Sequence, residues 1–249
     1  METLVNLLDQ NLIFGFLLLF ARIVAFMAFM PVFGHASVSV PIRISISFLI
    51  TLFIIPFVTI PPDISDSAFL IGLLSEITLG LIASFLVNII FSAVNIIGDF
   101  LGYATALSMA QMFDPVSGSN QGLISRLLYW ISLIIFFETG MYEVTLMMLV
   151  QSFDTIHLGT FNPFVYDGIS LAILELKQMF AFAFSFAFPL FFIGFILDIY
   201  YGYGTKSMPA FSPFIVTFQL KFALIFLFLL FGMDVFIEAF KEYFFSKLG

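Results

Sequence analysis

Four stretches of this chain, residues 23–42, 44–62, 77–98 and 178–197, contain no Asp, Glu, Lys or Arg. Each matches the run of about 20 mostly apolar residues that crosses a bilayer as a helix. That pattern constrains the fold more than any other feature, because a water-soluble domain has nowhere to hide so many unbroken apolar runs. Composition agrees: 62% of the 249 residues are hydrophobic and 10% charged. Soluble domains are about half apolar and about a quarter charged. The surroundings of most of this chain must be lipid or other membrane helices.

Six hydrophobic segments follow, at about 11–33, 38–60, 69–97, 123–151, 171–204 and 211–239. Turn chemistry separates them: Phe33-Gly34-His35 with Pro41, then Pro61-Pro62-Asp63, then a long polar connection from Asp154 to Asp167. A membrane barrel would need segments of about ten residues alternating apolar and polar. Here the runs are greasy on every side, as in the Phe-alternating stretch 180–188. The expectation is an all-α polytopic membrane protein of about six long helices, some broken, forming a single membrane domain over 1–249. The 38 phenylalanines suit lipid contact or aromatic packing in a multi-subunit helical assembly. The first segment, preceded by Glu2 rather than a basic stretch, reads as a retained span.

Charge excludes some functions and leaves topology open. A net charge of −8 argues against nucleic acid and anionic head groups. Cysteine is absent, so disulfides and thiolate metal sites are ruled out, and His35 and His157 read as loop residues. No HExxH, GxGxxG or P-loop pattern occurs. No catalytic residue, metal or cofactor is therefore expected. Lys241 and Lys247 suggest a cytoplasmic C-terminus. With six spans, the acidic connections holding Asp63, Asp66, Asp154 and Asp167 would then be cytoplasmic too, opposite Arg43, Arg126 and Lys206. The charge rule contradicts itself here, as happens when some segments do not cross the bilayer conventionally.

An ionisable side chain at the centre of a span costs about 2.5–3.5 kcal/mol on insertion scales and so pairs or faces a polar interior. Arg22, Arg43, Glu76, Asp99, Arg126, Glu138, Asp198, Lys206 and Lys221 lie in or beside apolar runs. Charge pairing in assembly is their expected role. Lys221 needs a carboxylate or carbonyl, and Asp198 or Glu138 could serve. Two breaks carry more shape. One runs through Met109, Gln111, Met112, Phe113, Asp114 and Pro115 into Ser117-Gly118-Ser119-Asn120. Asp-Pro cannot continue a helix smoothly, and methionine repacks easily, so this is either an adaptable seal or an ordinary surface loop. The other, Tyr201-Gly202-Tyr203-Gly204 with Lys206, Pro209 and Pro213, reads as a shaped re-entry.

Several motifs follow one another in a definite order. They are Arg22-Ile23 with Pro31 and Gly34, then Pro41-Ile42-Arg43, Glu76 with Gly80, and Gly98 and Gly102 leading to Asp114-Pro115. Glu138-Thr139-Gly140, Phe153-Asp154 with Gly159, and finally Pro209 and Lys221 complete the series. Taken in that order, they resemble the FliR family of export-gate subunits, whose virulence-secretion counterpart is SctT. The chain departs from the pattern where Lys206 stands for an arginine, Ala210 for a glutamine and Met141 for a histidine. The resemblance implies a non-enzymatic subunit of the flagellar type III export gate in the bacterial inner membrane, at the flagellar basal body. It implies assembly with FliP and FliQ beside FlhB and FlhA, unfolded secreted proteins as cargo, and no nucleic acid. It makes the segment 109–122 a plug, and Pro31, Gly34, Pro41 and Pro209 shape-setting. A virulence homologue and a secondary transporter of small solutes are the alternatives.

Overall fold

A computed structural model describes residues 10–31, 33–34, 38–62, 66–105, 122–207 and 213–248. Every element in them is helical. In chain order these are α1 (Gln10–Phe29), α2 (Val40–Ile54) with a 3-10 turn (Ile55–Phe57), and α3 (Asp66–Ala104). Then come α4 (Leu123–Glu138), α5 (Met141–Thr155), α6 (Gly168–Ser207) and α7 (Pro213–Leu227). A π turn (Phe228–Gly232) leads directly into α8 (Met233–Leu248). Among the described residues five helices are long and apolar enough to cross a membrane, and α4 with α5 makes a sixth if that bent pair is one span. The protein is thus an all-α polytopic membrane protein.

Local sequence accounts for most of the ends. Pro41 sits in the first turn of α2, where its missing N–H is one of the helix's unpaired donors anyway. Asp167 caps α6: its Oδ1 accepts the Ser170 N–H at 3.1 Å, satisfying one of the orphan donors. That bond, with the Ser170 side chain as the larger cause, holds the Asp167 carboxyl below its ordinary value. Between α4 and α5 Gly140 takes φ of 72°, a left-handed conformation that favours glycine, and the hydrophobic segment 123–151 breaks there. Gly202 and Gly204, in contrast, continue α6. The expected re-entry therefore does not begin at Tyr201, because nothing crowds or turns the backbone there, and α6 runs on to Ser207.

The chain divides into two compact units. The first is drawn from Met1–Asn88 and Gly140–Ala172. Its core is the face of α1 carrying Leu18, Leu19, Ile23, Phe26 and Met27, all buried. Phe16 and Phe20 meet Phe48 of α2 edge-on at 5.6 and 6.2 Å between ring centroids. Phe14 stacks on Phe69 of α3 at 4.3 Å. α3 approaches α1 so closely at Gly80 that a Cβ there would meet the Ala25 Cβ at 2.8 Å and the Phe26 nitrogen at 3.0 Å. Small residues at such crossings let helix backbones touch where lipid gives no hydrophobic push.

The second unit comes from Ile89–Thr139 and Ile173–Lys247. It is an aromatic core. Phe91 of α3 meets Phe136 of α4 at 5.6 Å and Phe240 of α8 at 5.8 Å, both edge-on. Phe136 meets Phe244 at 5.8 Å, and Phe182 of α6 stacks on Tyr243 at 4.1 Å. Offset and edge-to-face pairs of this kind are worth about 0.5–1.5 kcal/mol each beyond burial. Gly98 lets α3 and α4 touch, since a Cβ there would lie 2.6 Å from the Ser125 nitrogen.

Candidate functional site

The chemistry of this chain lies in ion pairs buried among apolar helices, and the densest centres on Arg22. Its side chain is 1% exposed and that of Glu76 is 0%. Arg22 Nε donates to Glu76 Oε2 at 2.5 Å. One terminal nitrogen donates to the Ser152 carbonyl and hydroxyl at 3.1 Å each, and the other to the Ile156 carbonyl at 3.0 Å. The guanidinium lies 4.2 Å over the Phe153 ring. Glu76 Oε1 accepts the Gly159 N–H at 2.8 Å, and Gly159 holds φ of 72°. One planar fork therefore joins α1, α3 and the end of α5. It adds a second bond to the Ser152 carbonyl, which already accepts the Ile156 N–H at 2.9 Å, bonds the Ile156 carbonyl just past the helix end, and neutralises a carboxylate that could not otherwise be buried. A lysine, with a single point of charge, could not reach all these acceptors.

Two further pairs lie in the second unit. Lys221 Nζ donates to Asp198 at 2.6 Å, the lysine 7% and the aspartate 54% exposed. Of the two carboxylates considered for Lys221, Asp198 is the partner. Glu138 is exposed at the end of α4 and makes no ion pair among the described residues. Lys247, which in the sequence speaks only to orientation, pairs with Glu175 at 2.5 Å and also reaches the Gln178 carbonyl oxygen. Its signal was available: Glu175 and Gln178 sit one turn apart, followed by an apolar run.

The other expected residues are dispersed. Arg43 turns back on the chain before α2, donating to the Val38 carbonyl at 2.9 and 3.1 Å. Arg126 is exposed in the first turn of α4, and Lys206 is exposed in the last turn of α6, where a cation complements the helix dipole. These three charges belong to helices rather than loops. Asp99 accepts the Ser125 hydroxyl. Pro31 is buried after α1, and the Gly34 N–H bonds the Met30 carbonyl at 2.6 Å. Met109, Gln111, Met112, Phe113, Asp114, Pro115 and Pro209 lie outside the described residues. Among the described residues no group of His, Asp and Glu could hold a metal.

Comparison with known proteins adds the family. The profile of "Bacterial export proteins, family 1" matches residues 13–246. One relative, "Flagellar biosynthetic protein FliR" of Bacillus subtilis (strain 168), is 27% identical over 224 residues, which is 89% of this chain and 86% of that protein. Proteins of the same name from Aquifex aeolicus (strain VF5) and Escherichia coli (strain K12) are 25% and 24% identical, over 86% and 80% of this chain and 83% and 76% of their own.

Proposed function

We propose, because this chain belongs to the bacterial export proteins, family 1, that it is a structural subunit of the flagellar type III export gate. It forms part of the channel through which unfolded flagellar proteins leave the cytoplasm. The observation that carries this reading is the family match over 13–246, which reaches into every helix described above. Membership makes the protein a membrane component of flagellar protein export. The channel role, the bacterial inner membrane at the basal body, and assembly with FliP and FliQ beside FlhB and FlhA are the finer parts of the proposal.

The chemistry fits a subunit that works by shape. Its buried cations are matched by carboxylates, so apolar helices can pack without stranded charge. Large apolar side chains remain outside, among them Phe180, Phe184, Phe188 and Phe192 on successive turns of α6, a surface that lipid or neighbouring helices would cover. Within this reading Met109, Met112 and Phe113 seal the channel at rest, and Asp114-Pro115 sets the turn. Arg43, Arg126 and Lys206 supply charges for subunit contacts.

Affinity purification of the tagged chain from native membranes tests the proposal. Co-recovery of the other export subunits is expected. Recovery of the chain alone, together with solute uptake by vesicles holding only this chain, would favour a transporter instead. Removing residues 110–120 should raise leakage of small ions through the membrane, and unchanged leakage would remove the plug from the account.

A further inference from the structure

The last helix changes phase at its π turn. Among the described side chains of α7 the buried ones are Lys221 and Ile225, followed by Phe228 at the start of the turn, an ordinary helical spacing. Continued at 3.6 residues per turn, that stripe would reach Val235, Ala239, Glu242 or Tyr243, and Ser246. The residues buried on α8 are instead Phe236, Phe240, Tyr243, Phe244 and Leu248, about one residue later. The π turn Phe228–Gly232 supplies that extra residue. The surplus stands outward, with Leu230 71% and Phe231 73% exposed. Such π turns are rare insertions in α-helices and recur at working sites.

Both phases offer a usable contact face. In the phase observed, Phe236 meets Phe186 of α6 at 5.7 Å, Phe240 and Phe244 meet Phe91 and Phe136, and Lys247 clasps Glu175 and Gln178. In the other phase Val235, Ala239 and Ser246, each compatible with an apolar neighbour, would face inward with Glu242 or Tyr243. Asp234 and Glu238, exposed now, stay off the contact face in either phase. One residue of α-helix is about 100° of rotation. The difference between the phases is therefore a turn of the whole end of the chain.

We propose that the Phe228–Gly232 turn is a rotary joint. Passing between π and α geometry, it turns α8 by one residue, exchanging the Phe236–Phe240–Phe244 face for the Val235–Ala239–Ser246 face. The Lys247–Glu175 clasp and the Phe182–Tyr243 stack hold the resting phase, and release of the clasp frees the helix to turn during export. The functional part of this proposal rests on the export reading; the phase itself does not.

Deleting Leu230 tests both parts. With one residue gone, the turn closes into α geometry while Phe236, Phe240 and Phe244 still point inward, so packing survives and the joint is lost. The chain has no cysteine, which lets Phe186→Cys with Phe236→Cys report the phase by disulfide crosslinking in native membranes. The deletion is expected to keep this crosslink, yet to lower secretion of flagellar proteins at least tenfold, while Leu230→Ala secretes normally. Loss of the crosslink would show that the turn does not set the phase. Normal secretion by the deletion, or equal loss in Leu230→Ala, would show that it is not a moving part. If removing the entire gene leaves secretion intact, the export reading fails instead, and the crosslink still decides the phase.

Discussion

A guanidinium that is 1% exposed has to bring its partners with it, and Arg22 does so through geometry as much as charge. Removing one member of a buried pair costs about 3–5 kcal/mol, because the survivor is left charged and dry. Arg22→Met should therefore lower stability by about that amount. The double change to Arg22→Met with Glu76→Gln should recover a good part of it, as read by thermal denaturation of the detergent-solubilised protein. Arg22→Lys should resemble the single loss, since an ammonium cannot replace five donors in a plane; full stability in that variant would contradict the role of the fork. Asp167 gives a prediction in pH. Its carboxyl titrates below the ordinary value because of Ser170. The cap is therefore intact above the unfolded-state pKa and lost only as pH falls through the lower, folded one. Amide exchange in the first turn of α6 should be protected alike at pH 7 and pH 5, and Asp167→Ala should expose it at both. Arg22 and Glu76 were recognisable in the sequence as charges that need partners. That the partners were each other required the fold, since 54 residues separate them.

Among the elements, six apolar segments were legible, because a long apolar stretch leaves little but a helix in a membrane; five hold a helix long enough to cross, and the fourth holds the bent pair. The break in the fourth segment was harder to read. Gly140 lies in a greasy run and is marked only by Thr139 and the preceding Glu138, and one glycine in a helix is often tolerated. Its φ of 72° makes it the required residue. Gly140→Val should cost about 1–2 kcal/mol, the penalty of forcing an L side chain into the left-handed region. Gly98 tests close packing rather than backbone angle. A Cβ there meets the Ser125 backbone, so Gly98→Leu should separate α3 from α4 and make the protein sensitive to protease within α4. Resistance equal to the parent would mean the helices can give way. The π turn left no mark in composition. It shows only as a one-residue slip in which side chains are buried, and that slip cannot be seen until burial is known.

At the scale of the whole molecule, contradictory charge in the connections had suggested unconventional crossings. Arg43 and Arg126 sit in the first turns of their helices and Lys206 in the last turn of its own, so all three flank apolar segments, where the charge rule counts them. Family membership over 13–246 was readable from the ordered motifs, each slight alone. The seal at 109–115 rests on sequence and resemblance. The most direct measurement is an in-frame deletion of this gene, with and without complementation, scored for hook protein and flagellin in the culture supernatant. The account predicts that both vanish from the medium, remain inside the cell, and return with the complementing copy. Normal secretion from the deletion strain would contradict it.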